Sequence, residues 1–426
     1  MDAASPRSAQ KRRQEATPPM NAKGTRTRRD VEVAVLGAGI MGCATSLFLA
    51  REGFHVTLFD EAPAAMARAS RWNEGKIHLG YLYSGDPSLQ TARRLLPGGL
   101  AFRRLIEELT ATSIADAVGR DDDTFLVHHD SVAPPDVVAH YFAALDAMIV
   151  SAGMDRHYLT GEDCALSRPL AGAELAAVAD PATIVAGFRT PERSVRTNLV
   201  ADLLANSTAA EPKLSLRLGE RVNSLRPGGR RRWRVQTNAG SGEFDIVVNA
   251  LWNGRLGIDA GAGLQPEGRW SNRYRVSAFI TTTHPVDHPS AVVCTGPFGD
   301  VKNYDGRHFY LSWYEAGLLL DSNALDPEAP VVTAAHAKAI ELATRDGLAS
   351  TMPGVERIFA AAAEVAVEGG FVFARGGGTL ADPASPLHRR DAFGVTRGDG
   401  YFSVDTGKYS TAPWLARRLA DEIAGR

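Results

Sequence analysis

The chain has 426 residues and a formal net charge of −2, which excludes a general electrostatic attraction to nucleic acid or to an anionic membrane. Its hydrophobic fraction of 44% and charged fraction of 23% are typical of a soluble globular protein with two or three domains. Cys43, Cys164 and Cys294 are far apart in the sequence, which argues against a disulfide framework or a zinc cluster and favours a reducing, cytoplasmic compartment. We predict no metal site.

Residues 1–30 form a basic tail, with eight lysines and arginines against three acidic residues. The tail has few large apolar residues, which predicts disorder rather than a folded element. It lacks the apolar segment and the cleavage pattern of a secretory signal. No part of the chain reaches about 18 uninterrupted apolar residues, so we expect no transmembrane helix.

A strand, a glycine-rich turn and a helix open the folded part of the chain. The apolar run Val31–Leu36 predicts a buried strand, and the spacing of apolar residues from Ile40 predicts a helix directly after the turn. Phe54–Phe59 predicts a second strand, which ends at an acid. The turn contains three glycines in the G-x-G-x-x-G spacing of dinucleotide-binding folds.

Each residue type in this unit suits a bound diphosphate. The first glycine permits a tight turn, the second lets the main chain approach the phosphates, and the third lets the helix pack closely on the strand. The helix N-terminus presents backbone N–H groups to the phosphates, and the acid accepts hydrogen bonds from ribose hydroxyls. The unit therefore predicts a dinucleotide site at Gly37, Gly39, Ile40, Met41, Gly42, Asp60 and Glu61.

The rest of the chain alternates helical and strand-like patterns. Helices are predicted at Pro87–Leu109, Pro134–Ala152, Arg196–Ser207, Pro330–Asp346 and Thr411–Ala424. Strands are predicted at Thr124–His128, Leu214–Leu225, Arg232–Thr237, Glu243–Val248, Arg273–Thr283, Ala291–Thr295, His308–Trp313 and Tyr401–Val404. This order predicts an α/β fold with α+β elements, in which a Rossmann-like domain (31–110, 191–260 and 385–426) is interrupted by a substrate domain on an antiparallel sheet (111–190 and 261–384).

A loop-like segment after the acid carries the pattern S-x-x-N-x-G-x-I-H-x-G, from Ser70 to Gly80. Together with the opening unit, it resembles the D-amino-acid-oxidase-like superfamily of FAD-dependent oxidoreductases. Its motifs are most similar to the branch containing glycerol-3-phosphate dehydrogenases and L-2-hydroxyglutarate dehydrogenases, where the pattern lies against the diphosphate and the flavin. The resemblance implies cofactor contacts at Ser70, Arg71, Asn73, Gly75, Lys76, Ile77 and His78.

Three further stretches carry the resemblance. Asp305–Trp313 resembles the D-G-R-x-x-F-x-x-P-W strand that faces the flavin in that branch, with Ser312 in place of the proline. Asp405–Pro413 resembles the G-G-K-x-T-T motif, with Thr406 in place of the first glycine. Val247–Ala250 resembles the second strand that contacts the cofactor. The implied contacts are Val222 on the adenine side, Ala250, and, at the flavin ring, Gly407, Lys408, Tyr409, Ser410 and Thr411.

The terminal motif also has a physical rationale. Ser410 or Thr411 suits the N-cap of the last predicted helix, and Pro413 suits its first turn. A helix N-terminus with Lys408 beside it concentrates positive charge, and such charge favours the reduced, negatively charged state of a flavin.

Three residues are candidates for chemistry. His78 is a candidate for acid/base work, for a substrate contact or for a covalent tether to the flavin, with a structural histidine as the alternative. Arg307 is the candidate that anchors an anionic substrate, because a guanidinium pairs with a carboxylate or phosphate through two hydrogen bonds. Lys408 is the third candidate. Further candidates for anion binding are Arg375, Arg389 and Arg390.

The glycine pattern fits both NAD(P) and FAD, and the segments 70–80 and 405–413 favour FAD. The resemblance implies an FAD-dependent oxidoreductase that oxidises a C–N or C–O bond of a small or medium anionic substrate, such as an amino acid, hydroxy acid or polyol phosphate, by hydride transfer to flavin N5. The electron acceptor, whether oxygen, a quinone or a carrier, is left open. The alternatives are an NAD(P)-dependent dehydrogenase, a flavin-binding protein that has lost catalysis, and an FAD tailoring enzyme for a larger sugar, lipid or carrier-bound intermediate.

Overall fold

The structure is a computed structural model that describes residues 28–153, 158–160 and 165–426. The strands of these residues form three sheets. Of the predicted basic tail only Arg28–Asp30 is described, as a short 3-10 turn, and Cys164 lies outside the described residues.

The first sheet contains the predicted dinucleotide-binding unit. Its six strands are β1 (Glu32–Leu36), β2 (His55–Asp60), β6 (Leu214–Leu218), β10 (Ile246–Asn249), β17 (Gly394–Gly398) and β18 (Tyr401–Asp405). Their order is β17-β18-β10-β1-β2-β6, and all neighbours are parallel except β17 and β18. The carboxyl ends of β1, β10 and β18 therefore lie side by side, at the edge where open α/β sheets bind ligands.

The second sheet has nine strands, and all of them come from the segments 111–190 and 261–384. They are β3 (Thr124–His128), β4 (Arg168–Pro169), β5 (Ile184–Arg189), β11 (Trp270–Thr282), β12 (Ala291–Cys294), β13 (Gly299–Asn303), β14 (His308–Trp313), β15 (Leu318–Ser322) and β16 (Ala362–Arg375). The pairing is antiparallel throughout except between β3 and β12. The third sheet consists of β7 (Val222–Pro227), β8 (Trp233–Thr237) and β9 (Ser241–Phe244).

Helices pack on both faces of the first sheet and on both faces of the second. They are α1 (Ile40–Arg51), α2 (Gln90–Thr110), α3 (Pro135–Ser151), α4 (Gly172–Val178), α5 (Thr197–Ala210), α6 (Arg255–Gly261), α7 (Tyr314–Gly317), α8 (Ala334–Ala349), α9 (Glu356–Ala360) and α10 (Ala412–Ile423). In the second sheet, α3 packs on β3 and β5 opposite the face that packs against α8 and α9. The five predicted helices correspond to α2, α3, α5, α8 and α10. The fold class predicted from the sequence is confirmed.

Alternation along β1 explains how the first sheet is covered. Val33 and Val35 point into the core that α1, α2, α5 and α10 share, whereas Ala34 and Leu36 point into a smaller core closed by the three-stranded sheet and α6. Successive strand residues face opposite sides, so β1, which is apolar from Val33 to Leu36, requires cover on both faces. A third core lies between the nine-stranded sheet and helices α8 and α9.

Two predicted strands are each two strands in the structure. Leu214–Leu225 divides into β6 and β7, which belong to different sheets, because the chain turns at Gly219 with a left-handed φ of +75°. Glu243–Val248 divides at Asp245 into β9 and β10, again in different sheets. The periodicity of side chains is continuous across both breaks and carries no information about which sheet a strand joins.

Candidate active site

An elongated cavity of about 880 Å³ lies where the first sheet meets the second. Its wall includes the turn after β1, the end of β2, parts of the segments 67–78 and 250–258, the middle of β16, and residues 406–409 after β18. One cavity thus contacts the glycine-rich turn, the loop that follows the acid, and the terminal motif. The terminal motif lies more than 300 residues after the other two segments in the sequence.

The turn after β1 brings bare main chain to this cavity. Gly37 has a φ of +97° and donates its N–H to Phe59 O at 2.7 Å, and a Cβ there would lie 2.7 Å from Ala250 O. A Cβ on Gly42 would lie 1.7 Å from Gly37 O, so only glycine lets α1 start this close to the strand. The N-terminus of α1 therefore opens onto the cavity wall, in the geometry that binds phosphate.

Asp60 holds this turn in shape. Its carboxylate accepts hydrogen bonds from the backbone N–H groups of Ala38 at 2.6 Å and Ala62 at 2.8 Å. Burial raises the pKa of Asp60, and the two N–H donors oppose that rise. Asp60 and Glu61 both line the cavity, so the predicted ribose contact stays a prediction beside a structural role that the sequence did not reveal.

The loop from Ser70 to His78 is shaped by its own polar side chains. Ser70 Oγ accepts the N–H of Ile40 at 2.9 Å, which joins the loop to the first turn of α1. Asn73 donates to Ala69 O and accepts the N–H of Gly75, both at 2.9 Å. These bonds fix the turn that carries the following residues along the cavity.

Most of the predicted cofactor residues line the cavity, and the others lie behind its wall. Those in the wall are Gly37, Gly39, Ile40, Met41, Asp60, Glu61, Ser70, Asn73, Lys76, Val222, Ala250, Gly407, Lys408 and Tyr409. Those outside the wall are Gly42, Arg71, Gly75, Ile77, Ser410 and Thr411. Arg71 instead pairs with Asp202 at 2.5 Å on the half-exposed outer side of the loop. The assignment of these residues to the cofactor stays a prediction.

The three predicted catalytic residues have different positions. His78 and Lys408 line the cavity. Arg307 is exposed in the turn between β13 and β14 and lines neither this cavity nor the second one described below. In that turn the carboxylate of Asp305 accepts a hydrogen bond from the backbone N–H of Arg307 at 2.9 Å. The D-G-R sequence therefore forms the tight turn between β13 and β14.

The terminal motif packs closely on α2. Gly98 of α2 leaves room for it, since a Cβ there would lie 2.8 Å from Thr411 Cγ2, and the adjacent Gly99 leaves room for the loop from Ser70 to Gly80, since a Cβ there would lie 2.3 Å from His78 O. Thr411 occupies the N-cap position of α10, but its hydroxyl does not cap the helix as expected and donates instead to Thr406 O at 2.6 Å. This bond closes the turn that exposes Lys408 to the cavity.

Five charged side chains form a buried charge cluster between the loop from Ser70 to His78, called the cofactor loop, and the second sheet. They are Lys76, Asp123, Glu192, Asp300 and Lys302. Asp123 contacts Lys76 and accepts from Lys302 Nζ at 2.9 Å. Lys302 Nζ lies 3.7 Å from Asp300, and Lys76 Nζ lies 3.9 Å from Glu192. Burial would raise the pKa of Asp123, but Lys302 and Lys76 hold it below its usual range. The cluster thus fixes the cofactor loop to β13 and to the start of β3.

Replacing Asp123 with Asn should destabilise the protein by about 3 kcal/mol at pH 7, because it leaves two buried lysines without their shared carboxylate. Urea denaturation of the purified variant measures this. The control is Asp121→Asn, since Asp121 is exposed and close in the sequence, and its free energy of unfolding should stay within about 0.5 kcal/mol of the wild type. Equal stabilities of the two variants would contradict the structure of the cluster.

A second cavity of about 350 Å³ shares Gly407 with the first. Its wall contains Arg375, Arg389 and Arg390 together with Asp391 and Asp405. Arg389 pairs with Asp391 at 2.5 Å, and Arg375 Nε lies 3.8 Å from Asp405. The carboxylates thus offset two of the three arginines and leave Arg390 as the excess positive charge.

Arg390 belongs to an arginine cluster with Arg273 and Arg275. Arg273 donates to Tyr314 Oη at 2.9 Å, and the Arg275 guanidinium lies 4.6 Å from the centre of the Tyr314 ring. Arg390 donates to Phe373 O at 2.6 Å, and burial together with Arg273 lowers its pKa to about 10. The ion pairs within 4.0 Å among the described residues include none of the three. The Nε atoms of Arg273 and Arg275 are buried and have no hydrogen-bond partner within that part of the chain.

The arginine cluster lies between the two cavities. Arg390 lines the second cavity, and Arg275 lowers the pKa of Glu74, which lines the first. Arg273 is buried and Arg275 and Arg390 are half-buried, and guanidinium groups withdrawn from water without a counterion are costly, so the cluster is suited to an anion that arrives from outside the chain. Glu74 lies within the predicted cofactor motif from Ser70 to Gly80 but was not singled out, and the cluster residues Arg273 and Arg275 were not predicted as site residues and belong to no local motif.

One group among the described residues has the composition of a metal site. His128, His129 and Asp130 bring three potential ligand atoms within 4.8 Å of one another at the end of β3. The two imidazole rings have centroids 4.2 Å apart and are tilted by 32° to each other, and His129 and Asp130 are exposed. None of the three lines either cavity.

The parallel sheet, the glycine turn at its carboxyl edge and the cavity that joins both ends of the chain define a dinucleotide-binding protein with a second, mostly antiparallel sheet. A family model described as "DAO: FAD dependent oxidoreductase" matches residues 32–421. The chain therefore belongs to the DAO family, and it is an FAD-dependent oxidoreductase. This decides between the two cofactors that the glycine pattern left open.

Several solved structures share the fold of this chain. Glycine oxidase from Geobacillus kaustophilus is 15% identical, with a TM-score of 0.66 and coverage of 92% of this chain and 94% of that chain. L-amino acid deaminase from Proteus vulgaris is 12% identical, with a TM-score of 0.64 and coverage of 95% and 96%. L-alpha-glycerophosphate oxidase from Mycoplasma pneumoniae, solved with FAD bound, is 16% identical, with a TM-score of 0.57 and coverage of 92% and 94%.

The residues of the first cavity fit FAD. Bare main chain and a helix N-terminus lie at one end, and the buried ring nitrogens of His78, which have no hydrogen-bond partner among the described residues, lie in the same wall as Lys408 and Tyr409. A volume of about 880 Å³ suits an extended dinucleotide. Within the described part of the chain, no helix is both long enough and apolar enough to cross a membrane.

Proposed function

We propose that the protein oxidises a C–N or C–O bond of a small or medium anionic substrate, such as an amino acid, a hydroxy acid or a polyol phosphate. The observation that supports the proposal is the arginine cluster beside the cofactor cavity. Its three guanidinium groups have no carboxylate partner within 4.0 Å among the described residues. When bound, FAD supplies the acceptor for the hydride that leaves the substrate carbon.

Residues of the chain itself bind the cofactor and hold the substrate. The main chain from Gly37 to Met41 binds the diphosphate, and residues 406–409 contribute to the wall of the same cavity. Lys408 adds positive charge there, which favours the extra negative charge that follows reduction. Arg390, in the wall of the second cavity, holds the acidic group of the substrate, the role that the sequence suggested for Arg307, and Arg273 adds positive charge beside it.

His78 is the proton acceptor in this proposal. Burial lowers its pKa well below 6.5, and Lys408, Lys76, Lys302 and Arg390 lower it further, so the imidazole is neutral at pH 7. A neutral, buried imidazole in the cavity wall can accept the proton that an amine or alcohol loses when its C–N or C–O bond becomes a double bond. The electron pair of that N–H or O–H bond stays on the substrate.

The visible spectrum of the FAD-loaded protein, recorded without oxygen, tests the proposal. We expect the flavin band to bleach on addition of one class from a panel of amino acids, hydroxy acids and glycerol phosphates. The matched control is the amide of the same compound, which lacks the negative charge and should bleach the band at least about 10-fold more slowly. Bleaching by neutral or carrier-bound compounds alone would contradict an anionic small substrate.

A further inference from the structure

We propose that Glu74 is a positioning residue for His78. Its carboxylate holds the Nε2–H tautomer of the imidazole, which leaves Nδ1 as the atom that accepts the substrate proton. This inference rests on the proposed function and extends it to a residue pair that resembles the base and orienting acid of other proton-transfer sites.

The geometry of the pair is the first support. Glu74 Oε1 lies 3.8 Å from His78 Nε2, and both residues line the first cavity. Neither ring nitrogen of His78 has a hydrogen-bond partner among the described residues, although the side chain is only 1% exposed. A separation of 3.8 Å is too long for a hydrogen bond, but bonds of this kind often shorten when substrate and cofactor occupy the site.

The local backbone gives the second support. Lys76 forms an isolated antiparallel bridge with Ser194, and the left-handed Gly75 (φ +64°) turns the chain just before it, so that Glu74, Lys76 and His78 all line the first cavity. The buried charge cluster holds Lys76 between them, and Tyr304 Oη donates to Glu74 O at 3.1 Å. The fold thus fixes the spacing of Glu74 and His78 through groups on both sides of the cavity.

The charges around the pair give the third support. Burial would raise the pKa of Glu74, but Lys408, Arg275 and Lys76 outweigh it and keep the carboxylate ionised. The groups that face His78 are Glu74, the Tyr83 ring at 5.9 Å, and the cations Lys408, Lys76, Lys302 and Arg390. Glu74 is therefore the one carboxylate within 4.0 Å of the imidazole among the described residues, and it stabilises the imidazolium once the proton arrives.

The proton balance is simple. The substrate loses a hydride from carbon to the cofactor and a proton from nitrogen or oxygen to His78 Nδ1. The bonding pair left on nitrogen or oxygen forms the new C=N or C=O bond. The imidazolium then holds two N–H protons, of which the one on Nε2 faces Glu74.

The first test is the pH dependence of anaerobic flavin reduction in Glu74→Gln, measured with the substrate of the wild-type protein. We expect the reduction rate constant to fall about 10-fold or more, with a substrate Kd within about twofold of wild type. Loss of the nearby anion lowers the pKa of His78, so the rise of rate with pH should move to lower pH. Glu74→Asp keeps the charge, so its profile should stay at the wild-type position. The control Glu364→Gln removes the same charge at an exposed site on β16.

The second test needs no turnover. Nitrogen-15 histidine NMR of the FAD-loaded protein reports the tautomer of each imidazole, and His78→Gln identifies the His78 resonances. We expect His78 to be protonated at Nε2 in the wild type and in Glu74→Asp, and to populate both tautomers in Glu74→Gln. If no substrate bleaches the wild-type flavin, the proposed function fails while this spectrum still decides the role of Glu74. An unchanged tautomer and an unchanged pH profile in Glu74→Gln would overturn the inference.

Discussion

Gly39→Val is expected to yield a folded protein that purifies without FAD. Gly39 has a φ of −76°, a conformation that any residue adopts, so the substitution does not strain the backbone. A Cβ there would lie 2.9 Å from Ser70 Oγ, and the branched side chain would fill the space through which the diphosphate passes. We expect FAD to bind at least about 100-fold more weakly, about 2.7 kcal/mol. The ratio of flavin to protein absorbance and a titration of the apoprotein with FAD measure the loss.

The choice of Gly39 separates cofactor binding from folding. Gly37 requires a positive φ, and a side chain on Gly42 would overlap the carbonyl of Gly37, so substitutions there disturb the turn itself. The matched control is Gly172→Val, because a Cβ at Gly172 meets nothing within 4 Å and the residue lies in the exposed helix α4. Full flavin content in Gly39→Val would place the diphosphate elsewhere in the fold.

The part of the site that is built from residues close together in the sequence could be predicted from sequence patterns. The turn after β1, the start of α1 and the end of β2 depend on residues within about 30 positions, and the glycine spacing records the required conformations directly. The strands Thr124–His128 and His308–Trp313 are found with the predicted bounds, since both are short apolar runs between clear turns.

Elements that depend on a distant partner were missed or divided wrongly. β16 was not predicted, although it is the longest strand, because Glu364, Glu368, Gly369 and Gly370 interrupt the apolar alternation. Its conformation comes instead from pairing with β11 along nearly the whole length of both strands. A strand that is stabilised mainly by pairing with a neighbouring strand shows only a weak strand pattern in its own sequence.

The charged clusters of the site could not be predicted as groups, because their residues come from distant parts of the chain. Lys76 and Asp123 are 47 residues apart, and Asp123 and Lys302 are 179 apart, so no motif joins them. The arginine cluster combines Arg273 and Arg275 of β11, which belong to no recognisable motif, with Arg390 from the segment before β17, which the sequence offered only as one of three candidates for anion binding. Arg307 shows the converse, because a recognisable motif there builds a turn and lines neither cavity.

Arg390→Gln is expected to raise the Kd of the anionic substrate by about 100-fold or more while FAD stays bound. The guanidinium of Arg390 remains charged at neutral pH, because its pKa is lowered only to about 10, and no carboxylate of the described residues pairs with it within 4.0 Å. Removing one partner of a buried charge pair costs about 2–5 kcal/mol, which corresponds to this loss of affinity. The dependence of anaerobic flavin reduction on substrate concentration measures the change, and the limiting rate constant should fall much less.

Arg389→Gln is the matched control for this prediction. Arg389 is adjacent in the sequence and lines the same second cavity, but its charge is already offset by Asp391 at 2.5 Å. Its substitution should therefore change the substrate Kd less than about threefold. The amide analogue supplies a further comparison, because its weaker binding should be insensitive to Arg390→Gln. Equal losses with the anion and the amide would mean that Arg390 shapes the cavity without pairing with the acidic group of the substrate.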